Sequence, residues 1–129
     1  MTSIEASIEY SKICRFIDEG EYEFALKELN DSLEKVHSLN ERCRLRLFMS
    51  YIYYKYEFYP LAYNAIRVAL KERDKLSKQL VLEGLYIKAL CLIQQKRYDR
   101  CRDIINECYT LDPDNKEADT LIEILKSCR

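Results

Sequence analysis

The side chains of this chain with the widest chemical reach are six thiols and a single imidazole. Cys14, Cys43, Cys91, Cys101, Cys108 and Cys128 supply the thiols, and His37 the imidazole. Zinc is held by thiolates and imidazoles in close clusters, such as two cysteines separated by two residues or a histidine pair. Neither arrangement occurs, so no metal is expected. A cysteine nucleophile needs a base beside it, and acid–base catalysis needs a histidine or paired carboxylates in a pocket. His37 falls at an expected turn, and no glycine-rich phosphate loop is present. The chain is therefore expected to be neither an enzyme nor the carrier of a cofactor.

The thiols have a second reading, as packing groups. Met1 to Glu5 lack the basic and apolar regions of a secretory signal, which points to reduced cysteines in a cytoplasmic protein. Cys101 and Cys108 lie seven apart on one apolar helical stripe, where a small apolar side chain packs well. No apolar run reaches the roughly 20 residues of a membrane span. Glu83 and Lys88 interrupt even the richest stretch.

Helices must position these groups. Apolar residues make up 48% and charged residues 33%, with only 2 Gly and 2 Pro, which leaves too few turn formers for a sheet-rich fold. The chain is read as one all-α domain over residues 1–129, long enough to bury a core without staples. Ile13, Phe16 and Ile17 form one apolar stripe, and Tyr22, Ala25, Leu26, Leu29 and Leu33 the next. Gly20 between them suits the positive φ that often ends a helix. Residues 50–59 are rich in β-preferring tyrosines, yet no turn dipeptide separates them from Arg42–Met49, so they are read as helix. Pro60 fits the first turn of the next helix, expected to run on to Arg73. Leu82, Leu85, Ala89, Leu92 and Ile93 begin a third pair, which resumes at Tyr98. Asp112 to Asn115 form a turn and a cap, and Ala118, Leu121, Ile122 and Leu125 a last stripe.

A pattern repeats through these segments. Tyr22 with Ala25 and Leu29, Tyr59 with Ala62 and Ile66, and Tyr98 with Cys101 and Ile105 share one spacing, each tyrosine read as closing a helical pattern. The tyrosines are 37 and 39 apart, the range of a two-helix repeat that stacks on copies of itself. The units span about residues 4–39, 40–78 and 80–113, with a capping helix over about 116–128. Such an array leaves one concave face free for binding.

Charge is divided along the chain. Residues 1–40 hold 9 Asp/Glu against 4 Lys/Arg and residues 41–129 hold 13 against 17, for a net of −1 overall. That total gives no footprint for nucleic acid. Lys71, Arg73, Lys75 and Lys78 around one turn, and Lys96, Arg97, Arg100 and Arg102 around another, read as solvated helix ends.

With Gly20, Tyr22 and Ala25, and with the run from Leu85 through Ala89, Leu92, Tyr98, Cys101, Ile105 and Cys108 to Pro113, the chain resembles the tetratricopeptide repeat family. The resemblance covers essentially the whole chain and implies a right-handed α-α superhelix of helix-turn-helix repeats. The first two units are longer than the family's standard of about 34 residues. Glu9 and Lys12 replace large apolar residues in the first helix, which leaves room for an N-terminal arm.

The family's carboxylate clamp for chaperone tails, carried over, falls on Tyr10, Cys14, Phe48, Glu83 and Ile87. None is a cation or an asparagine, so no chaperone tail is expected to bind in that way. Groove positions fall on Tyr10, Cys14 and Ile17, on Arg44, Leu47, Phe48, Tyr51 and Tyr54, and on Glu83, Tyr86, Ile87 and Leu90. That set implies an apolar, aromatic groove for a peptide or an amphipathic helix, although such rings can equally fill space between helices. The expected function is a non-catalytic scaffold or adaptor. Two alternatives stay open: a homodimerising structural subunit of a larger complex, and the cytosolic domain of a protein similar to the tail-anchored fission adaptor of mitochondria and peroxisomes.

Overall fold

A computed structural model describes the backbone of residues 3–128 and the side chains of residues 11–128. Among the described residues seven α-helices follow one another: α1 (Ser3–Asp18), α2 (Tyr22–Lys35), α3 (Leu39–Lys55), α4 (Tyr59–Ala69), α5 (Lys78–Gln94), α6 (Tyr98–Leu111) and α7 (Lys116–Ser127). No strand occurs among the described residues, and the tyrosine-rich stretch is helical up to Lys55. Short connections fold α1 on α2, α3 on α4 and α5 on α6 as hairpins.

The three hairpin turns are built alike. Gly20, Glu57 and Lys96 have positive φ of 77°, 67° and 61°. In each turn this residue donates to a carbonyl three back, and the next residue donates to one five back: Gly20 to Ile17 and Glu21 to Phe16, Glu57 to Tyr54 and Phe58 to Tyr53, Lys96 to Ile93 and Arg97 to Leu92. These six bonds, 2.8 to 3.1 Å long, satisfy carbonyls that a helix end otherwise strands. Tyr22, Tyr59 and Tyr98 follow as the first residues of α2, α4 and α6. The tyrosines thus open the second helix of each hairpin and do not close the first, because the left-handed residue two places earlier has already turned the chain.

Connections between hairpins also correspond. Ser38, Ser77 and Asn115 precede α3, α5 and α7, and the side-chain oxygen of each accepts the N–H three residues on. Arg42 Nη1 donates to the carbonyls of Leu33 (2.7 Å) and Val36 (3.2 Å) and so satisfies the end of α2. Helix α4 stops at Ala69, short of Arg73, and a 3-10 turn follows at Arg73–Lys75. Lys71 to Lys75 are all exposed, so continued helix there would bury nothing. By turning, the chain brings Leu70 and Leu76 back onto the core. Leu70 also lies where a Cβ on Gly84 would stand, 2.9 Å from its Cδ1, so this glycine lets α4 approach α5.

Apolar side chains collect in three clusters along the stack. Ile13, Ala25, Leu29, Val36, Leu45 and Ile52 join α1, α2 and α3. Cys43, Leu47, Ala62, Ile66, Ala69, Leu80 and Cys91 join α3, α4 and α5. Val81, Leu85, Ala89, Leu92, Cys101, Ile104, Ile105 and Cys108 join α5 to α6, and Ala118, Leu121 and Leu125 of α7 close that end. In the region that left room for an arm, α1 is one continuous helix, and Lys12 reaches Glu28 of α2 at 3.1 Å.

Candidate functional site

Helix α3 packs on α5, and α5 on α7. Asn40 Oδ1 accepts the backbone N–H of Ser77 at 3.1 Å, which puts the N-terminal ends of α3 and α5 side by side. The two helices therefore run parallel, and a hollow of about 440 Å³ lies along their seam. Its walls are Arg44, Leu47, Phe48 and Tyr51 of α3, Gln79, Leu82, Glu83, Tyr86, Ile87 and Leu90 of α5, and Glu117 of α7. On each long helix these positions recur at three- and four-residue steps, the period of one helical face.

The hollow is graded from end to end. Arg44, Gln79 and Glu83 lie toward the N-terminal ends of α3 and α5. Glu117, second residue of α7, lies toward that end too, because α6 runs back along α5 and Arg73 before α5 meets Glu107 near the end of α6. Tyr51, Tyr86 and Leu90 lie toward the other. Arg44 Nη1 is engaged by Glu41 at 3.3 Å, and among the described residues Glu117 accepts the Asn115 amide, also at 3.3 Å. Glu83 has no ion pair among the described residues. Tyr51 is 40% exposed, with its ring 6.5 Å from that of Tyr54 and Lys55 above it at 6.0 Å.

Seven sequence-derived candidates converge here: Arg44, Phe48, Tyr51, Glu83, Tyr86, Ile87 and Leu90, with Leu47 as floor. Cys14, Ile17 and Tyr54 do not line this hollow. Cys14 is exposed on α1. Ile17 packs in the first cluster, and its carbonyl accepts the Tyr56 hydroxyl at 3.2 Å. Tyr54 fills space between helices, its ring 6.0 Å from that of Tyr59; burial pushes its phenol up against a hydrogen bond with Gln94. Tyr10 lies outside the described side chains. Gln79, Leu82 and Glu117 were missed. Gln79 and Leu82 could have been found by extending the face of Glu83, Tyr86 and Leu90 backward in steps of four, whereas Glu117 is distant in sequence.

The groups with chemical reach are placed differently. Cys43, Cys91, Cys101 and Cys108 are buried, and burial pushes the last three up to about 11. Thiols so raised stay protonated near neutral pH and are poor nucleophiles. His37 is exposed in the α2–α3 turn, beside Asn30, Glu34 and Arg42 and with no cysteine in that set. No group of three or more metal-ligating side chains forms among the described residues. No described helix is long and apolar enough to cross a membrane. The basic turns are solvated, with Arg73 meeting Glu107 at 3.3 Å and Arg102 meeting Asp99 at 2.8 Å. Compared with known proteins, the chain matches no protein-family model and no curated protein sequence.

Proposed function

We propose that this protein is a non-catalytic interaction scaffold of the tetratricopeptide kind, with its hairpins stacked as a right-handed superhelix. It holds a peptide segment or amphipathic helix of a partner protein between α3 and α5. Repetition of one turn at Gly20, Glu57 and Lys96, and of one cap at Ser38, Ser77 and Asn115, supports the repeat reading. The observation that carries the binding reading is the apolar hollow with Tyr51 in its wall. A ring that is apolar in body and polar at its tip gives large contact area at small ordering cost. The buried, protonated thiols suit a reducing compartment such as the cytoplasm.

A titration series tests this. Helical peptides selected from a displayed library on the intact chain are titrated against Tyr51→Ala, Tyr86→Ala and Lys55→Ala, each first checked for retained helix. Loss of an anchor ring lowers affinity about thirtyfold, equivalent to about 2 kcal/mol, and loss of the rim lysine far less. If both tyrosine variants bind normally while added salt abolishes binding, the basic turns are the site and the groove reading is wrong.

A second reading, a structural subunit that pairs with another copy, is favoured by one feature of the outer surface. Phe24 on α2 is 57% exposed, and Leu61 and Val68 on α4 are 51% and 38% exposed. Sedimentation equilibrium decides it, since a concentration-independent monomer mass excludes the pairing.

A further inference from the structure

We infer that the occupant of the α3–α5 hollow is an apolar segment with a lysine or arginine at the end that meets Glu83 and Glu117. This rests on the groove reading above and adds the chemistry of the partner. The floor, made by Leu47, Phe48, Leu82 and Ile87, is apolar and selects only for hydrophobic shape. Direction and discrimination must then come from the rim, because complementary charge fixes register and suppresses wrong partners.

The rim carries a definite sign. At this end Arg44 is the one cation among the described lining residues, and Glu41 beside it, at 3.3 Å, offsets that charge, while Lys55 stands over Tyr51 at the other end. Glu83 and Glu117 remain without a cationic partner among the described residues. They come from two helices, α5 and α7, yet border the same end of one hollow. Two uncompensated carboxylates beside apolar walls attract a cation and repel an anionic segment, and the field is strengthened where an apolar occupant excludes water. The hollow is also long enough for such a ligand. From Gln79 to Leu90 the wall rises about 16 Å, or three turns of a bound helix. A guanidinium or an ammonium could meet either carboxylate.

A display experiment separates this inference from the groove reading on which it rests. A library of helical peptides carries leucines at one helical stripe and randomised residues at both flanks. It is selected in parallel on the intact chain and on the Glu83→Lys/Glu117→Lys variant, whose changes lie at exposed positions. Clones held by the intact chain are expected to carry Lys or Arg over Asp or Glu by about tenfold at one flank. The double variant is expected to reverse that preference. Identical flanks from the two baits, or acidic flanks from the intact chain, overturn the inference while leaving the groove reading in place. Clones whose binding survives both Tyr51→Ala and Tyr86→Ala overturn the groove reading itself, and failure to retain any clone overturns both.

Discussion

Helices α3 and α5 pack on each other and serve here as the inner helices, and their hairpin partners α4 and α6 as the outer ones. Inner helices are buried on two sides. Helix α3 sends Leu45 and Ile52 toward α1 and α2, and Cys43 and Leu47 toward α4 and α5. Helix α5 likewise gives Leu80 and Cys91 to the middle cluster and Leu85, Ala89 and Leu92 to the next. Outer helices bury one stripe, Ala62, Ile66 and Ala69 in α4, and Cys101, Ile104, Ile105 and Cys108 in α6. A helix enclosed on both sides loses its amphipathic period, and a helix covering one side keeps it. Position in the stack therefore decides tolerance to change. It also decides what an exposed apolar group means. Leu61 and Val68 on α4 offer an exposed apolar surface, whereas Tyr51 lines a hollow on a helix whose other apolar groups are buried or half-buried.

The largest expected effect is on deletion of the same atoms from the two classes of helix. Leu85 is 1% exposed in α5 and Leu61 is 51% exposed in α4. Leu85→Ala should destabilise by about 2–5 kcal/mol and Leu61→Ala by no more than about 0.5 kcal/mol, read as urea midpoints. Equal losses would break the distinction between inner and outer helices.

A smaller effect is expected where the two classes touch. Ala62 is fully buried on α4 in the cluster it shares with α3 and α5. Ala62→Leu should overpack that contact and lower stability by about 1–3 kcal/mol. An unchanged midpoint would mean that α4 stands further from its neighbours than described.

The smallest effect concerns the turns that join inner to outer helices. Nothing lies within 4 Å of a Cβ built on Gly20, so Gly20→Ala isolates the strain of positive φ. It should lower stability by about 1 kcal/mol, and Glu57→Gly and Lys96→Gly should each raise it by a similar or smaller amount. Thermal melts that left all three unchanged would contradict a shared left-handed turn.

Much of the fold was legible because local chemistry agreed with it. Gly20 marked a turn that needs positive φ, Pro60 a first helical turn, and Asn115 a cap, and each fills that role. The stop of α4 at Ala69 was not legible. Residues 70–76 contain no breaker, and the helix ends because Leu70 and Leu76 find partners only when the chain turns. The site was legible in part. The family resemblance brought out Tyr51, Glu83, Tyr86 and Leu90, but placed Tyr54 with them although it packs against Tyr59.

By itself the sequence determined most of the helical segmentation, the spacing of 37 and 39 residues between equivalent tyrosines, and the apolar run of α5. These follow from period, caps and composition, which are local. Only the tertiary structure decided which tyrosines of α3 meet the hollow, and that Glu117 of α7 joins Glu83 of α5 at its rim. The reason is physical. A helix whose apolar residues are spread around its axis has no single stripe to mark one face, so the neighbours packed against it choose which rings are enclosed and which stay in water.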